Sequence, residues 1–217
     1  MSGQSNPYSA SSAHQGPSEN KRPQAWSSAQ WGVFAAICVQ TVFFRIGDMP
    51  MANLGTMAAL ALLSGTAIRH PLGFLLPLGI RVLTDCMVHL QTGYGFFSSW
   101  PFDYTAYVLI YFLGRMAASS RPKSAPRYLG LLVAGGVGSV ATYYLLSNLG
   151  VWFVWQQTYP RTISGLMECY TLALPFLKGT ILGNLIAVPV YYECWYRATA
   201  SALSSSADTV PAASVAD

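Results

Sequence analysis

The sequence predicts an all-α membrane protein, a bundle of six transmembrane helices. Hydrophobic residues make up 53% of the 217 residues and charged residues only 9%, whereas about a quarter of the residues of a soluble domain are charged. The apolar residues also form blocks of about 17 to 25, the length at which a helix crosses roughly 30 Å of hydrocarbon. Together, these two observations favour a polytopic membrane protein.

The apolar blocks set the predicted domain limits. Residues 1–25 are rich in Ser, Gln, Asn, Pro and Gly and predict a disordered cytoplasmic tail. Residues 26–197 form the transmembrane domain, and the Ala/Ser-rich residues 198–217 predict a second disordered cytoplasmic tail. The six predicted spans are approximately Ser28–Phe44, Met51–Ile68, Leu72–Leu90, Asp103–Ala118, Tyr128–Leu149 and Tyr170–Trp195.

Loop charges predict the orientation of the bundle. Basic residues concentrate on the cytoplasmic side of membrane proteins, so the side with more of them is assigned to the cytoplasm and receives both termini. The basic residues lie in short loops rather than in one patch, and we therefore expect no nucleic-acid partner. One side of the predicted bundle holds Lys21, Arg22, Arg69, Arg115, Arg121, Lys123, Arg127 and Arg197, and the other side holds Arg45 and Arg161.

The third predicted span carries three ionisable residues on one face. Arg81, Asp85 and His89 are spaced four residues apart, which places them in one stripe of a helix. Ionisable groups at membrane depth are costly and usually face the bundle interior or a water-filled cavity. The stripe is therefore either part of a ligand or ion site, or a structural Arg81–Asp85 pair with His89 at the interface.

Lys178 adds a second charged position, in the sixth predicted span. With 1.5 Å of rise per residue, Asp85 and Lys178 lie roughly 9 and 12 Å below the outer ends of their helices, while Asn148 lies at an outer helix end. Within the spans, Arg81 and Lys178 outnumber Asp85, so a small anionic or carboxylate-bearing solute is expected to supply the missing charge. Alternatively, Lys178 extends along its apolar stem to the outer interface.

Aromatic residues crowd the connection before the sixth span. Trp152, Trp155 and Tyr159 either form an interfacial belt or belong to a lid over the mouth of the bundle. The length of the connection favours a lid, since Pro160 can begin a short helix that runs through Glu168.

The sequence contains no motif of a known catalytic centre. It has no H-E-x-x-H, nucleophile elbow or P-loop, so we expect neither enzymatic activity nor ATP hydrolysis by this chain. The four cysteines lack metal-site spacing and are interpreted as small hydrophobic residues, and no cofactor or metal is predicted.

Three sequence blocks carry a resemblance to a known family. They are A-N-L-G-T-M-A-A-L-A-L-L-S-G at 52–65, L-P-L…T-D…H at 76–89, and S-N-L-G-V-W…Y-P-R-T-I-S-G-L…C-Y…A-L-P-F…T-I-L-G-N at 147–184. With these blocks the chain resembles bacterial membrane proteins of unknown function described as transport proteins. The six-span layout is also similar to the substrate-capturing subunits of energy-coupling-factor importers, which implies separate ATPase and coupling subunits.

The expected function is therefore solute capture from the outside by a multi-pass protein of the bacterial inner (plasma) membrane. Its partners would be the lipid bilayer, the solute and the ATPase and coupling subunits. One alternative is a self-sufficient ion-coupled carrier whose Arg81, Asp85 and His89 stripe relays protons; another is a membrane scaffold that transports nothing. The candidate solute-binding residues are Arg81, Asp85, His89, Asn148, Trp152, Trp155, Tyr159, Lys178 and Asn184.

Overall fold

The computed structural model describes residues 25–47, 55–68, 70–119 and 125–208, and these ranges contain helices and short connections but no strand. The all-helical prediction is confirmed for them. The elements are α1 (Ser28–Ile46), α2 (Met57–Ala67), a 3-10 helix (Pro71–Phe74), α3 (Leu75–Thr92), α4 (Trp100–Ser119), α5 (Ala125–Val154) and α6 (Ile163–Asp208).

Local sequence signals fix several helix ends. Ser27 caps α1 in a capping box, because its hydroxyl accepts from the Gln30 amide at 3.2 Å while the Gln30 side chain accepts from the Ser27 amide at 2.9 Å. α3 ends at Gly93, whose φ of 77° lies in the left-handed region that glycine adopts without a steric penalty.

Four stretches of helix are long and apolar enough to cross a membrane, which supports the prediction of a multi-pass membrane protein. They exclude α2, which has 11 residues, and α4, whose apolar face is interrupted by Asp103, Arg115 and several tyrosines. The six-span arrangement and the cytoplasmic termini remain predictions. The four stretches are Ser28–Ile46, Pro71–Thr92, Gly130–Val154 and Ile163–Ala202.

α2 occupies the centre of the bundle. Ten of its 11 residues are buried, which is the behaviour expected of a helix that is apolar on all sides. It is about 16 Å long, roughly half the thickness of the hydrocarbon layer. The predicted second span, Met51–Ile68, was therefore too long: Gly55 and Thr56 are not helical, and the apolar run reflects burial in protein rather than contact with lipid along its full length.

Two other boundaries differ from prediction. No separate helix follows Pro160; α6 begins at Ile163 and continues through Pro175 and Pro189 to Asp208. The connection before α6 is thus shorter than predicted, and the helix extends past residue 197, where a tail was expected. The N-terminal tail, residues 1–24, and residues 209–217 lie outside the described residues.

The half of the bundle around α2 and α4 is held by close backbone contact. A Cβ on Gly65 would meet the Tyr111 carbonyl oxygen, and one on Gly114 would meet the Leu62 carbonyl oxygen. Only glycine permits this approach, which small residues commonly allow between membrane helices.

Candidate functional site: a charged cavity

A cavity of about 470 Å³ lies in the half of the bundle where α1, α3 and α5 approach their C-terminal ends and α4 and α6 begin. It is large enough for a small metabolite, since ligand pockets typically range from about 300 to 1,000 Å³. All six α-helices contribute to its wall, and this end of the bundle is the one that the loop charges assign to the outside.

α5 and α6 form the broad wall of the cavity. α5 presents a mixed aromatic and polar face at positions i, i+1, i+4 and i+5, and α6 presents a mainly apolar face that ends in polar side chains. The helical repeat of 3.6 residues explains both spacings. The residues are Tyr143, Tyr144, Ser147 and Asn148 on α5, and Ala173, Phe176, Leu177, Thr180 and Asn184 on α6.

Four charged side chains form an alternating row beside and behind the cavity. Arg45 Nη2 donates to Asp85 Oδ1 at 3.0 Å, and Arg81 Nε donates to Asp85 Oδ2 at 2.8 Å. Arg81 Nη2 lies 3.7 Å from Asp103 Oδ2. We call these four residues the charge row; Arg45, Arg81 and Asp103 line the cavity, and Asp85 lies behind them.

Asp85 is the centre of the charge row. Its residue surface is only 1% exposed, and besides the two guanidinium groups it accepts a hydrogen bond from the Tyr104 hydroxyl at 3.0 Å. Three donors, two of them charged, therefore occupy its two oxygens. Asp85 thus fixes the positions of Arg45 and Arg81 rather than offering free oxygens to a ligand.

Arg81 is enclosed by aromatic side chains as well as by carboxylates. It is 6% exposed, its guanidinium carbon lies 5.7 Å from the centroid of the Tyr107 ring, and Nη1 donates to the Tyr107 hydroxyl at 3.4 Å. Tyr107 in turn stacks on Tyr143 with ring centroids 5.2 Å apart. These contacts connect α3, α4 and α5 at the cavity wall.

Asn184 holds the beginning of α2 at the cavity. Its Oδ1 accepts from the Ala59 amide at 2.8 Å, and its Nδ2 donates to the Gly55 carbonyl at 3.1 Å and to the Thr180 carbonyl at 2.8 Å. The side chain thereby caps α2 from another helix, as an N-cap residue would from the same helix. Asn184 also lines the cavity, so it is both a cap and a wall residue.

A buried hydroxyl network braces the same point from α1 and α6. The Thr56 hydroxyl donates to Thr41 Oγ1 at 3.3 Å, and Thr41 lies 3.2 Å from the Tyr191 hydroxyl, which donates to Gln40 Oε1. The start of α2 is therefore fixed on both sides, and Met57 and Ala58 are held at the cavity wall.

The nine predicted site residues separate into two groups. Arg81, Asn148 and Asn184 line the cavity, and Asp85 touches it through the two arginines. His89 is exposed one turn beyond Asp85 and packs on Phe96, with ring centroids 6.2 Å apart. Of the three residues of the α3 stripe, Arg81 and Asp85 are therefore buried in the bundle, and His89 is not. The remaining predicted residues, Trp152, Trp155, Tyr159 and Lys178, do not line the cavity.

The aromatic connection before α6 folds on itself. Trp152 Nε1 donates to the Pro160 carbonyl at 3.0 Å, and Arg161 Nη2 donates to the Phe153 carbonyl at 3.1 Å with its guanidinium over the Phe153 ring. Partial burial raises the pKa of the Tyr159 phenol, which stays neutral. The aromatic ring that a loop contributes to the cavity is instead Phe97, from the connection between α3 and α4.

Sequence reasoning left out Arg45, Asp103, Tyr107 and Tyr143. Arg45 and Asp103 were placed at the ends of predicted spans and left out of the count of charges within spans, although both line the cavity. The useful signal is the spacing of Asp103 and Tyr107, four residues apart on one face of α4. Lys178, which was counted, is exposed on α6.

The charge count therefore changes. The charge row has two arginines and two aspartates, so its formal charge is zero, whereas Arg81, Lys178 and Asp85 gave an excess of one positive charge. Within the described residues, no group of three or more His, Cys, Asp or Glu side chains is arranged to hold a metal ion.

Comparison with known families assigns the chain at the level of the family. The sequence profile of a family of unknown function, DUF6580, matches residues 26–205. The chain belongs to this family. The match covers α1 to α5, nearly all of α6 and every residue that lines the cavity of this DUF6580 protein, but the family description states no activity. No curated protein and no solved structure matches the chain.

Proposed function

We propose that this DUF6580 protein is a multi-pass protein of the bacterial inner membrane that captures a small polar solute in the cavity from the outer side. The observation that carries this proposal is the buried charge row at the wall of a 470 Å³ cavity. Charged side chains inside a membrane bundle are costly, and protein interiors contain few voids larger than a water molecule, so a cavity of this size beside them favours a binding role.

The wall is suited to a solute that has both polar groups and an apolar or aromatic body. Tyr143, Tyr144, Phe176 and Phe97 supply rings, while Ser147, Asn148 and Thr180 supply hydroxyl and amide groups. Such a mixture is typical of small-molecule pockets, in which a few polar groups orient a largely apolar contact surface.

The proposal includes separate ATPase and coupling subunits, because the chain contains no P-loop. In this arrangement the protein binds solute but does not move it alone. The anionic group expected from the sequence is retained as one feature of the solute, since Arg45 and Arg81 reach the cavity, but Lys178 is not proposed as its partner.

Thermal unfolding of the purified protein against a panel of small carboxylates, vitamins and their precursors tests binding, because a ligand of the folded state raises the apparent stability by mass action. Two neighbouring tryptophan substitutions locate the site. Ala173→Trp fills the cavity, whereas Leu174→Trp changes a half-exposed residue of the same helix that does not line it.

The proposal predicts that a stabilising solute loses its effect in Ala173→Trp and keeps it in Leu174→Trp. Uptake of that solute into liposomes distinguishes the two transport mechanisms. A capturing subunit binds without uptake, and uptake by the chain alone, driven by an ion gradient, would establish the self-sufficient carrier instead. Equal stabilisation of both tryptophan variants would rule out the cavity as the binding site.

A further inference from the structure

On the basis of the proposed function, we propose that the solute is a zwitterion, with an acidic group that binds at Arg45 and a protonated amine that binds at Asp103. The two residues are the ends of the charge row. Both line the cavity, and each retains hydrogen-bonding capacity that the protein does not use.

The residues at the two ends of the charge row, Arg45 and Asp103, have fewer hydrogen-bond partners for their charged groups than Asp85 and Arg81 in its middle. Asp85 and Arg81 form a 2.8 Å ion pair, and Asp85 accepts two further hydrogen bonds. The Arg45 Nε atom, by contrast, is buried and has no acceptor among the described residues. Arginine is a five-donor group, so Arg45 can bind an acid and keep its hydrogen bond to Asp85.

Asp103 is the corresponding unsatisfied anion. It is 8% exposed, and its contact with Arg81 at 3.7 Å is too long for a hydrogen bond. Among the described residues, Arg81 is the only cation in ion-pair contact with this carboxylate. A protonated amine in the cavity would provide the short, charge-assisted contact that Asp103 lacks.

The formal neutrality of the row decides between a zwitterion and a singly charged solute. An added acid alone or amine alone would leave one uncompensated charge among buried groups, which is strongly unfavourable. A zwitterion adds one charge of each sign and leaves the balance unchanged. Among the described residues, no other charged side chain lines the cavity to correct an imbalance.

The beginning of α2 also lies at the cavity. Met57 and Ala58, the first two residues of this 11-residue helix, are part of its wall. The N-terminus of a helix carries a partial positive charge that favours an anion. Arg45 and the beginning of α2 therefore both favour the binding of an acidic group in the cavity.

A matched set of probes tests the inference on the purified full chain. The zwitterions γ-aminobutyrate and ε-aminocaproate are compared with n-butyrate and caproate, which lack the amine, and with n-butylamine and n-hexylamine, which lack the acid. We expect at least one zwitterion to raise the unfolding temperature, with an affinity about tenfold or more above its acid-only and amine-only partners.

Two single substitutions should invert this preference. Asp103→Asn gives the row a net positive charge and should make the acid-only probe bind better than the zwitterion. Arg45→Gln gives a net negative charge and should favour the amine-only probe. Lys178→Met, outside the cavity, should leave the order of the probes unchanged.

The outcomes separate the inference from the proposed function. If an acid-only or amine-only probe stabilises the wild type as much as its zwitterion, the solute is not recognised as a zwitterion, and solute capture still stands. If no probe and no member of the wider solute panel stabilises the wild type or either variant, both the proposed function and the inference are overturned.

Discussion

The two halves of the bundle solve the same packing problem in different ways. Around α2 and α4 the helices approach until the backbone at Gly65 touches the backbone at Tyr111, and the core consists of aliphatic and aromatic side chains. In the other half, the charge row and tyrosines connect the helices beside a cavity of about 470 Å³. The first half forms the apolar core, and the second half holds the cavity in which we propose that the solute binds.

The charged half of the bundle depends on the packed half for its geometry. α2 belongs to both, because its C-terminal part is the centre of the apolar core while its first residues form part of the cavity wall. Asn184 and the Thr41–Thr56–Tyr191 network join the two at that point. A change in either half should therefore be felt most where α2 begins.

The largest effect is expected from Asp85→Asn. The substitution removes the charge that compensates Arg81 and Arg45, and loss of one partner of a buried ion pair costs about 3–5 kcal/mol in the free energy of unfolding. Denaturant unfolding in mixed micelles measures it. Glu193→Gln, which disturbs the exposed Arg197–Glu193 pair, is the control and should unfold like the wild type; similar behaviour of Asp85→Asn would show that the charge row is dispensable for folding.

Gly65→Ala should have the next largest effect, in the packed half. The added methyl group would meet the Tyr111 carbonyl oxygen, and overpacking of this kind costs about 1–3 kcal/mol in unfolding free energy. The matched control is Gly138→Ala, because nothing lies within 4 Å of the position of its Cβ. That variant should gain stability from the better helix propensity of alanine. Equal unfolding midpoints for the two variants would contradict the close α2–α4 contact.

Asn184→Ala should act on both halves at a smaller scale. It removes the cap on the Ala59 amide, and loss of an N-cap costs about 1 kcal/mol. It should also weaken solute binding, since the start of α2 lines the cavity. Thermal unfolding measures the first effect and calorimetric titration with the solute measures the second. A loss of stability with unchanged affinity would show that Asn184 caps α2 but does not contribute to solute binding.

Lys178→Met is expected to change least. Lys178 is exposed on α6 and does not line the cavity, so both the unfolding temperature and the affinity for solute should match the wild type. If Lys178→Met lost more affinity for the solute than Leu174→Trp does, Lys178 would have to contribute to solute binding.

Composition and hydrophobic blocks were sufficient to predict the all-helical fold class and the approximate bounds of α1, α3, α4 and α5, whereas α6 is longer than its predicted span at both ends. They misjudged α2, because a run of apolar residues looks the same whether it faces lipid or is enclosed by protein. The start of the Ser28–Ile46 helix agrees with the start of its apolar block, and the structure shows a capping box of Ser27 and Gln30 there.

The site was only partly predictable. Helical spacing placed Arg81 and Asp85 together, but no local pattern reveals that Arg45, forty residues earlier, completes the pair. Lys178 and Asp103 show most clearly why the sequence alone could not identify all the residues of the cavity wall. The first lies at mid-span in the sequence yet points away from the cavity, and the second lies at a helix end yet lines it, because rotation about the helix axis is set by tertiary packing.

Cysteine accessibility tests the central claim most directly, that a water-accessible cavity lies within the bundle and opens to the outer side. In a variant without native cysteines, Ser147→Cys on the cavity wall is compared with Leu145→Cys, an exposed position two residues away that does not line the cavity. We predict that a membrane-impermeant maleimide labels Ser147→Cys from the outer side of intact cells and leaves Leu145→Cys unlabelled, since thiolate formation requires water. Labelling of both positions at the same rate, or of neither, would contradict the claim.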